Sequence, residues 1–116
     1  MQQKISVLRH PETAENLTDW GDIPDMLEGR STTSGILLHK GPDGESECGL
    51  WVCTPGHWKC HVTRDEFTHF LQGRCTYTHD NGESLDIGPN TSAFFPKGWK
   101  GTCRVHETIK KVYMIR

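Results

Sequence analysis

Turn signals recur through residues 34–116 at intervals too short for long helices. Pro42-Asp43-Gly44-Glu45-Ser46, Asn81-Gly82 and Pro96-Lys97-Gly98-Trp99 each interrupt runs in which apolar and polar residues alternate. Asp-Gly and Asn-Gly favour the backbone of tight hairpins, because both central residues tolerate positive φ. Between them lie GILLHK, ECGLWVC, HWKCHV, EFTHFL, RCTYTHD, ESLDIG, TSAFFP, TCRVHE and IKKVYMIR. Alternation over such short runs is the period of a half-buried strand, not of a helix. About eight to ten short strands at this spacing predict an all-β sandwich or barrel.

The bulk numbers agree. The 116 residues suffice for one domain, and 12 glycines with 34% apolar residues suit a turn-rich chain. Residues 1–33 read differently. They are acidic and broken by Pro24 and two glycines, Gly21 and Gly29, with ISVLR as a candidate strand. They are expected to form an extended lead-in, and residues 34–116 the barrel.

A net charge of −2 provides no field to attract nucleic acid or acidic lipid. Lys97, Lys100, Arg104, Lys110 and Lys111 cluster late in the chain and read as a solvated sheet face. No segment reaches the roughly 20 apolar residues of a membrane helix, and MQQKISVLRHPE has no apolar run of signal-peptide length. The five cysteines, Cys48, Cys53, Cys60, Cys75 and Cys103, are odd in number and form no CxxC pair. Reduced thiols in a cytoplasmic protein are expected, without nucleic-acid or membrane partners.

The richest stretch is WKCHVTRDEFTHFLQG, residues 58–73. Alternation puts His57, Lys59 and His61 on one face of a strand, and Glu66, Thr68 and Phe70 on one face of the next. A four-residue loop between them would set His61 opposite Glu66, with Lys59 facing Thr68. His69 falls on the other face, and His79 lies beside the Asn81-Gly82 turn. Cys103 shares parity with Gly101. Asp65 and Glu66 are adjacent, face opposite ways in a strand, and so form no acid–base couple.

CTPG, DEF, LQGR, the Asp80-Asn81-Gly82-Glu83-Ser84 turn, FPKGWKGT and the closing ET-I-KKVY together resemble the small single-domain cupins of the ureidoglycine-aminohydrolase-like and ethanolamine-utilisation-like group. The resemblance covers roughly residues 34–116. It implies an RmlC-like jelly-roll barrel that pairs as a homodimer, with the lead-in exchanged between edge strands. Metal-binding cupins carry G-x5-H-x-H-x3-4-E-x6-G. Here Glu66, Gly73 and His61 fit, while Lys59 takes the first histidine position. In the second motif Pro96 and Gly98 fit, and Gly101 falls at the histidine.

Two of the four usual ligands are therefore absent, and a transition metal needs three or four donors. The reading is that the Lys59 ammonium stands where a metal's charge would be and balances Glu66. The expected pocket is Lys59, His61, Glu66, Thr68, Phe95 and Cys103, holding a small anionic or ureido-type molecule without a cofactor. A divalent manganese, nickel, zinc or iron ion on His61, Glu66 and His57 would instead imply an enzyme of the ureidoglycine aminohydrolase kind. A barrel serving only as a scaffold is the third reading.

Overall fold

The computed structural model describes residues 4–116. These form nine antiparallel strands and one 3-10 turn, Pro11–Thr13, with no α-helix. The strands are β1 (Thr18–Asp22), β2 (Met26–Glu28), β3 (Thr32–Lys40), β4 (Glu47–Cys53), β5 (Gly56–His61), β6 (Glu66–His79), β7 (Ser84–Ile87), β8 (Thr91–Phe95) and β9 (Lys100–Ile115). They make one sheet in the order β1-β3-β4-β9-β5-β2, with β6 pairing β9 on one side and β7 and β8 on the other. None of the described helical residues makes a helix long and apolar enough to cross a membrane.

The all-β expectation holds, and the nine runs read from residue 34 onward become seven strands, β3 to β9, two of them long. EFTHFL and RCTYTHD are the two halves of β6, and TCRVHE and IKKVYMIR the two halves of β9. These long strands pair along their whole length and bend together. The register shifts between Phe70 and Cys75, at Gly73, whose φ is +89°. A Cβ at Gly73 would lie 2.2 Å from the Thr108 carbonyl oxygen. Only glycine allows the strands to cross this closely at that backbone angle.

The bend folds the sheet into two facing walls. One holds β1, β3, β4, β8, the first half of β6 and the second half of β9. The other holds β2, β5, β7 and the remaining halves. Aromatic contacts join them: Tyr77 to Phe95 at 4.8 Å between ring centroids, and Trp51 to Trp58 at 6.5 Å. The core between the walls includes Cys53, Phe70, Cys75, Ile87, Cys103, Val105 and Ile109.

The lead-in contributes two edge strands: β1 pairs β3, and β2 pairs β5. ISVLR forms no strand. Residues 8–12 cross the outside of the first wall, where the Glu12 carbonyl accepts hydrogen bonds from Gln72 and Lys110, both at 2.9 Å.

β5 does not pair β6. Its neighbours are β9 and β2, with His61 opposite Lys100 and Lys59 opposite Thr102. Its inner face carries Trp58, buried in the core, and its outer face the exposed Lys59 and His61. The predicted meeting of His61, Lys59 and Glu66 across a hairpin therefore does not form. Burying a large apolar side chain is worth roughly 2–3 kcal/mol, and the opposite facing would expose Trp58 and bury a lysine and two histidines.

Candidate functional site

At one end the walls part around a cavity of about 380 Å³. β4 contributes Glu47 and Trp51, β5 contributes Trp58 and Cys60, and β6 contributes Glu66 and Tyr77. Phe95 of β8 and Lys111, Tyr113 and Ile115 of β9 close the far side, with Trp20 and Arg64 also on its lining. Each inward residue follows from strand alternation, as in Lys111, Tyr113 and Ile115.

The centre of the site is an ion pair. Lys111 Nζ donates a 2.7 Å hydrogen bond to Glu66 Oε2, with the lysine side chain 8% exposed and the glutamate 20%. The ammonium also lies 4.6 Å from the Trp51 ring centroid, 5.5 Å from Phe70 and 5.8 Å from Phe95. A cation over aromatic faces is held by their quadrupoles, so the pair has both a counter-charge and an apolar box. A second pair lies beside it: the Tyr113 hydroxyl donates to Glu47 Oε2 at 2.7 Å, and Lys40 Nζ is 3.8 Å from Glu47 Oε1. Burial, then the bond to Glu47, pushes the Tyr113 phenol well above its usual value. Burial likewise raises the Cys60 thiol to about 11, against the opposing charge of Lys111. The buried Trp58 indole N–H has no hydrogen-bond partner among the described residues.

Of the residues singled out from sequence, Glu66 and Phe95 line this cavity. Thr68 is buried on the same strand, but its hydroxyl donates to the Val112 carbonyl at 2.9 Å and serves the wall. Cys103 is fully buried in the core, where the neighbouring Cys75 thiol and burial push its own thiol far up. Lys59 and His61 line a separate outer groove with Asp25, Asp80 and Lys100. His57 is also outside, its Nδ1 3.2 Å from Glu28 Oε1, a carboxylate oxygen that accepts from Arg104 as well at 2.8 Å.

The three donors proposed for a metal, His57, His61 and Glu66, therefore do not converge. Among the described residues, no three or more His, Cys, Asp or Glu side chains gather where they could hold a metal ion. Glu66 is the one of the three that faces the cavity, and its partner is an ammonium.

That lysine is Lys111, read from sequence as part of a solvated face. Ile109-Lys110-Lys111-Val112 alternates ambiguously, because either lysine parity leaves one apolar residue inside and one outside. Trp58 and Cys60 were missed because the polar face of β5 reads as the inner one, and Glu47, Trp51 and Tyr113 because nothing in the sequence shows that β4 and the end of β9 line the same cavity.

Residues 40–113 match the family model of the EutQ-like cupin domain. No sequence among curated proteins matches the chain. Among solved structures, a protein of unknown function from Pseudomonas syringae pv. tomato superposes with a TM-score of 0.80 at 18% identity, over 88% of this chain and 45% of that one. The EutQ protein of Clostridium difficile gives 0.63 at 17% identity, over 73% and 68%. A putative ethanolamine utilization protein Q from Salmonella typhimurium gives 0.62 at 19%, over 72% and 68%. The chain thus spans less than half the length of the Pseudomonas protein, and these likenesses concern the fold.

Proposed function

Since the chain belongs to the EutQ-like cupin family, we propose that it is a cupin that binds a small molecule inside the barrel without needing a metal. The observation that carries this reading is the Lys111–Glu66 pair on the wall of the cavity. The pair supplies what a metal supplies elsewhere, a fixed positive charge facing a bound anion, together with an acceptor beside it. The ligand is a compact carboxylate or ureido-type metabolite. Its anionic or carbonyl oxygen meets Lys111, and its N–H groups meet Glu66 or the Tyr113–Glu47 pair. Trp51, Trp58 and Phe95 supply apolar walls. A cavity of about 380 Å³ sits near the small end of ligand pockets, which run from roughly 300 to 1,000 Å³.

A metal-dependent hydrolase has less support, because Glu66 would have to exchange Lys111 for an ion and recruit ligands from outside the cavity. Five unpaired cysteines suit a reducing compartment, which we take to be the cytoplasm.

The test is a thermal-shift panel of small carboxylates, ureido compounds and neutral isosteres, read on the wild type and Lys111→Met. A bound ligand raises stability by RT ln(1 + [L]/Kd). The expected result is a concentration-dependent rise for one anionic or ureido class, lost in Lys111→Met. No rise with any compound, or a rise that survives Lys111→Met, rejects the reading. Elemental analysis of tag-free protein addresses the metal directly: near-stoichiometric metal that disappears in Glu66→Gln would favour the hydrolase.

A further inference from the structure

Lys111 is the one buried lysine among the described residues, and it lines the cavity beside Glu66. Lys59 and Lys100 stand exposed on the outer face. The lining carries four charged side chains, Glu47, Arg64, Glu66 and Lys111. Lys111 is matched by Glu66 at 2.7 Å, and Glu47 by Lys40 at 3.8 Å. Arg64 forms no ion pair among the described residues. Its guanidinium donates to the Glu45 carbonyl oxygen, which fixes it in place without neutralising it.

We infer that Lys111 is a nucleophile that condenses with the carbonyl group of a small oxo acid, a carboxylate bearing an aldehyde or ketone, while Arg64 holds the carboxylate. The inference rests on the proposed reading that the cavity takes a small anionic molecule, and it names that molecule's class and its chemistry. A guanidinium without a counter-charge grips a carboxylate through two parallel hydrogen bonds. A lysine held out of water is the kind that forms Schiff bases with carbonyl substrates.

The step balances within the Lys111–Glu66 pair. Glu66 Oε2 takes a proton from the ammonium along the existing hydrogen bond, which frees the nitrogen lone pair. The lone pair forms the N–C bond to the carbonyl carbon, and the C=O π electrons move to oxygen. Glu66 then carries two protons in turn from nitrogen to that oxygen, which leaves as water while the nitrogen lone pair closes the C=N bond. Ammonium and carbonyl become iminium and water, with no oxidant or reductant. The iminium keeps the positive charge beside Glu66 and over the Trp51 ring, so the contacts that hold the ammonium also hold the product.

The experiment is reductive trapping on the full chain at neutral pH. Glyoxylate, succinic semialdehyde and the neutral butanal are each added with cyanoborohydride, and adducts are located by peptide mass mapping. Lys111→Arg, Glu66→Gln and Arg64→Gln stand beside the wild type, each checked for folding by circular dichroism. The oxo acids should modify Lys111 at least about 10-fold faster than the exposed Lys59 and Lys100. Glu66→Gln should slow that adduct roughly 100-fold. Arg64→Gln should slow the oxo acids about 10-fold and leave butanal unchanged. Lys111→Arg keeps a cation beside Glu66 and should lose this adduct alone. Trapping at Lys111 no faster than at Lys59 with either oxo acid overturns the inference, as does a Glu66→Gln rate equal to the wild type. Equal slowing of acid and neutral probes in Arg64→Gln overturns the carboxylate anchor. A carboxylate that raises the Tm through Lys111 but is never trapped there overturns the inference and leaves the proposed reading standing; loss of both rejects both.

Discussion

Lys111 and Glu66 face each other across β9 and β6, 2.7 Å apart, with both side chains turned into the cavity and away from bulk water. Glu66 lies opposite Ile115 on β9, and Lys111 lies opposite Phe70 on β6. The two charges therefore meet diagonally along the strands, and only the reach of the lysine brings them together. A buried pair of this kind contributes little net stability, because desolvation offsets its attraction, but losing one partner is costly.

Lys111→Met should therefore destabilise by about 3 kcal/mol, because it leaves Glu66 charged in an apolar box. Glu66→Leu should cost a similar amount. The double variant should recover most of the loss, because no lone charge remains. Urea unfolding of the four proteins measures this. Additive losses in the double variant would mean that the side chains matter for packing and not as a pair.

Gly73 is where the sheet turns from one wall to the other. Gly73→Ala must place a methyl 2.2 Å from the Thr108 carbonyl oxygen at a φ of +89°, so a loss of at least about 3 kcal/mol is expected. Gly82→Ala has a similar φ, +96°, but nothing within 4 Å of the new carbon. It should cost only the backbone term, about 1–2 kcal/mol. Equal losses in denaturant melts would show that the close crossing at Gly73 does not hold the bend.

The strands were legible because turn chemistry and alternation are local. Asn81-Gly82 sits where the chain reverses, between β6 and β7. Partners were not legible, because pairing in a barrel is set by the path of the bent strands. HWKCHV and EFTHFL are consecutive, yet β5 lies in one wall and the start of β6 in the other, with β9 paired to both. Facing was half legible. Glu66 and Phe70 point inward as alternation suggests, but β5 is inverted because Trp58 outweighs the polar pattern of His57, Lys59 and His61. The need for a cation beside Glu66 was readable from sequence. Which lysine supplies it was not, because Lys111 arrives from 45 positions further along the chain.

That inversion is testable on β5. Lys59→Ala and His61→Ala should each change stability by no more than about 0.5 kcal/mol, as surface substitutions do, and should leave ligand-induced thermal shifts unaltered. Trp58→Ala, 7% exposed and in the core, should cost about 3–5 kcal/mol. A large loss of ligand response in Lys59→Ala would mean that the outer groove, and not the cavity, is the binding site.

Cys53 and Cys60 each make the fold less stable in alkaline solution. An ordinary cysteine loses its proton near pH 8.5 in an unfolded chain, whereas burial holds the Cys53 and Cys60 thiols up to about 11. Between those values the folded chain keeps protons that the unfolded chain has released. Stability is therefore fully present below about pH 8.5 and falls as the pH rises towards 11. Tyr77 and Tyr113, also raised by burial, act in the same direction at still higher pH. Urea midpoints across this alkaline range should fall steadily in the wild type and less steeply in Cys60→Ala. Cys60 is half-buried on the cavity wall, so its alkylation should be slow near neutrality and accelerate towards pH 11. A flat stability profile, or rapid alkylation near neutral pH, would show that the thiol is not held in its protonated form by burial.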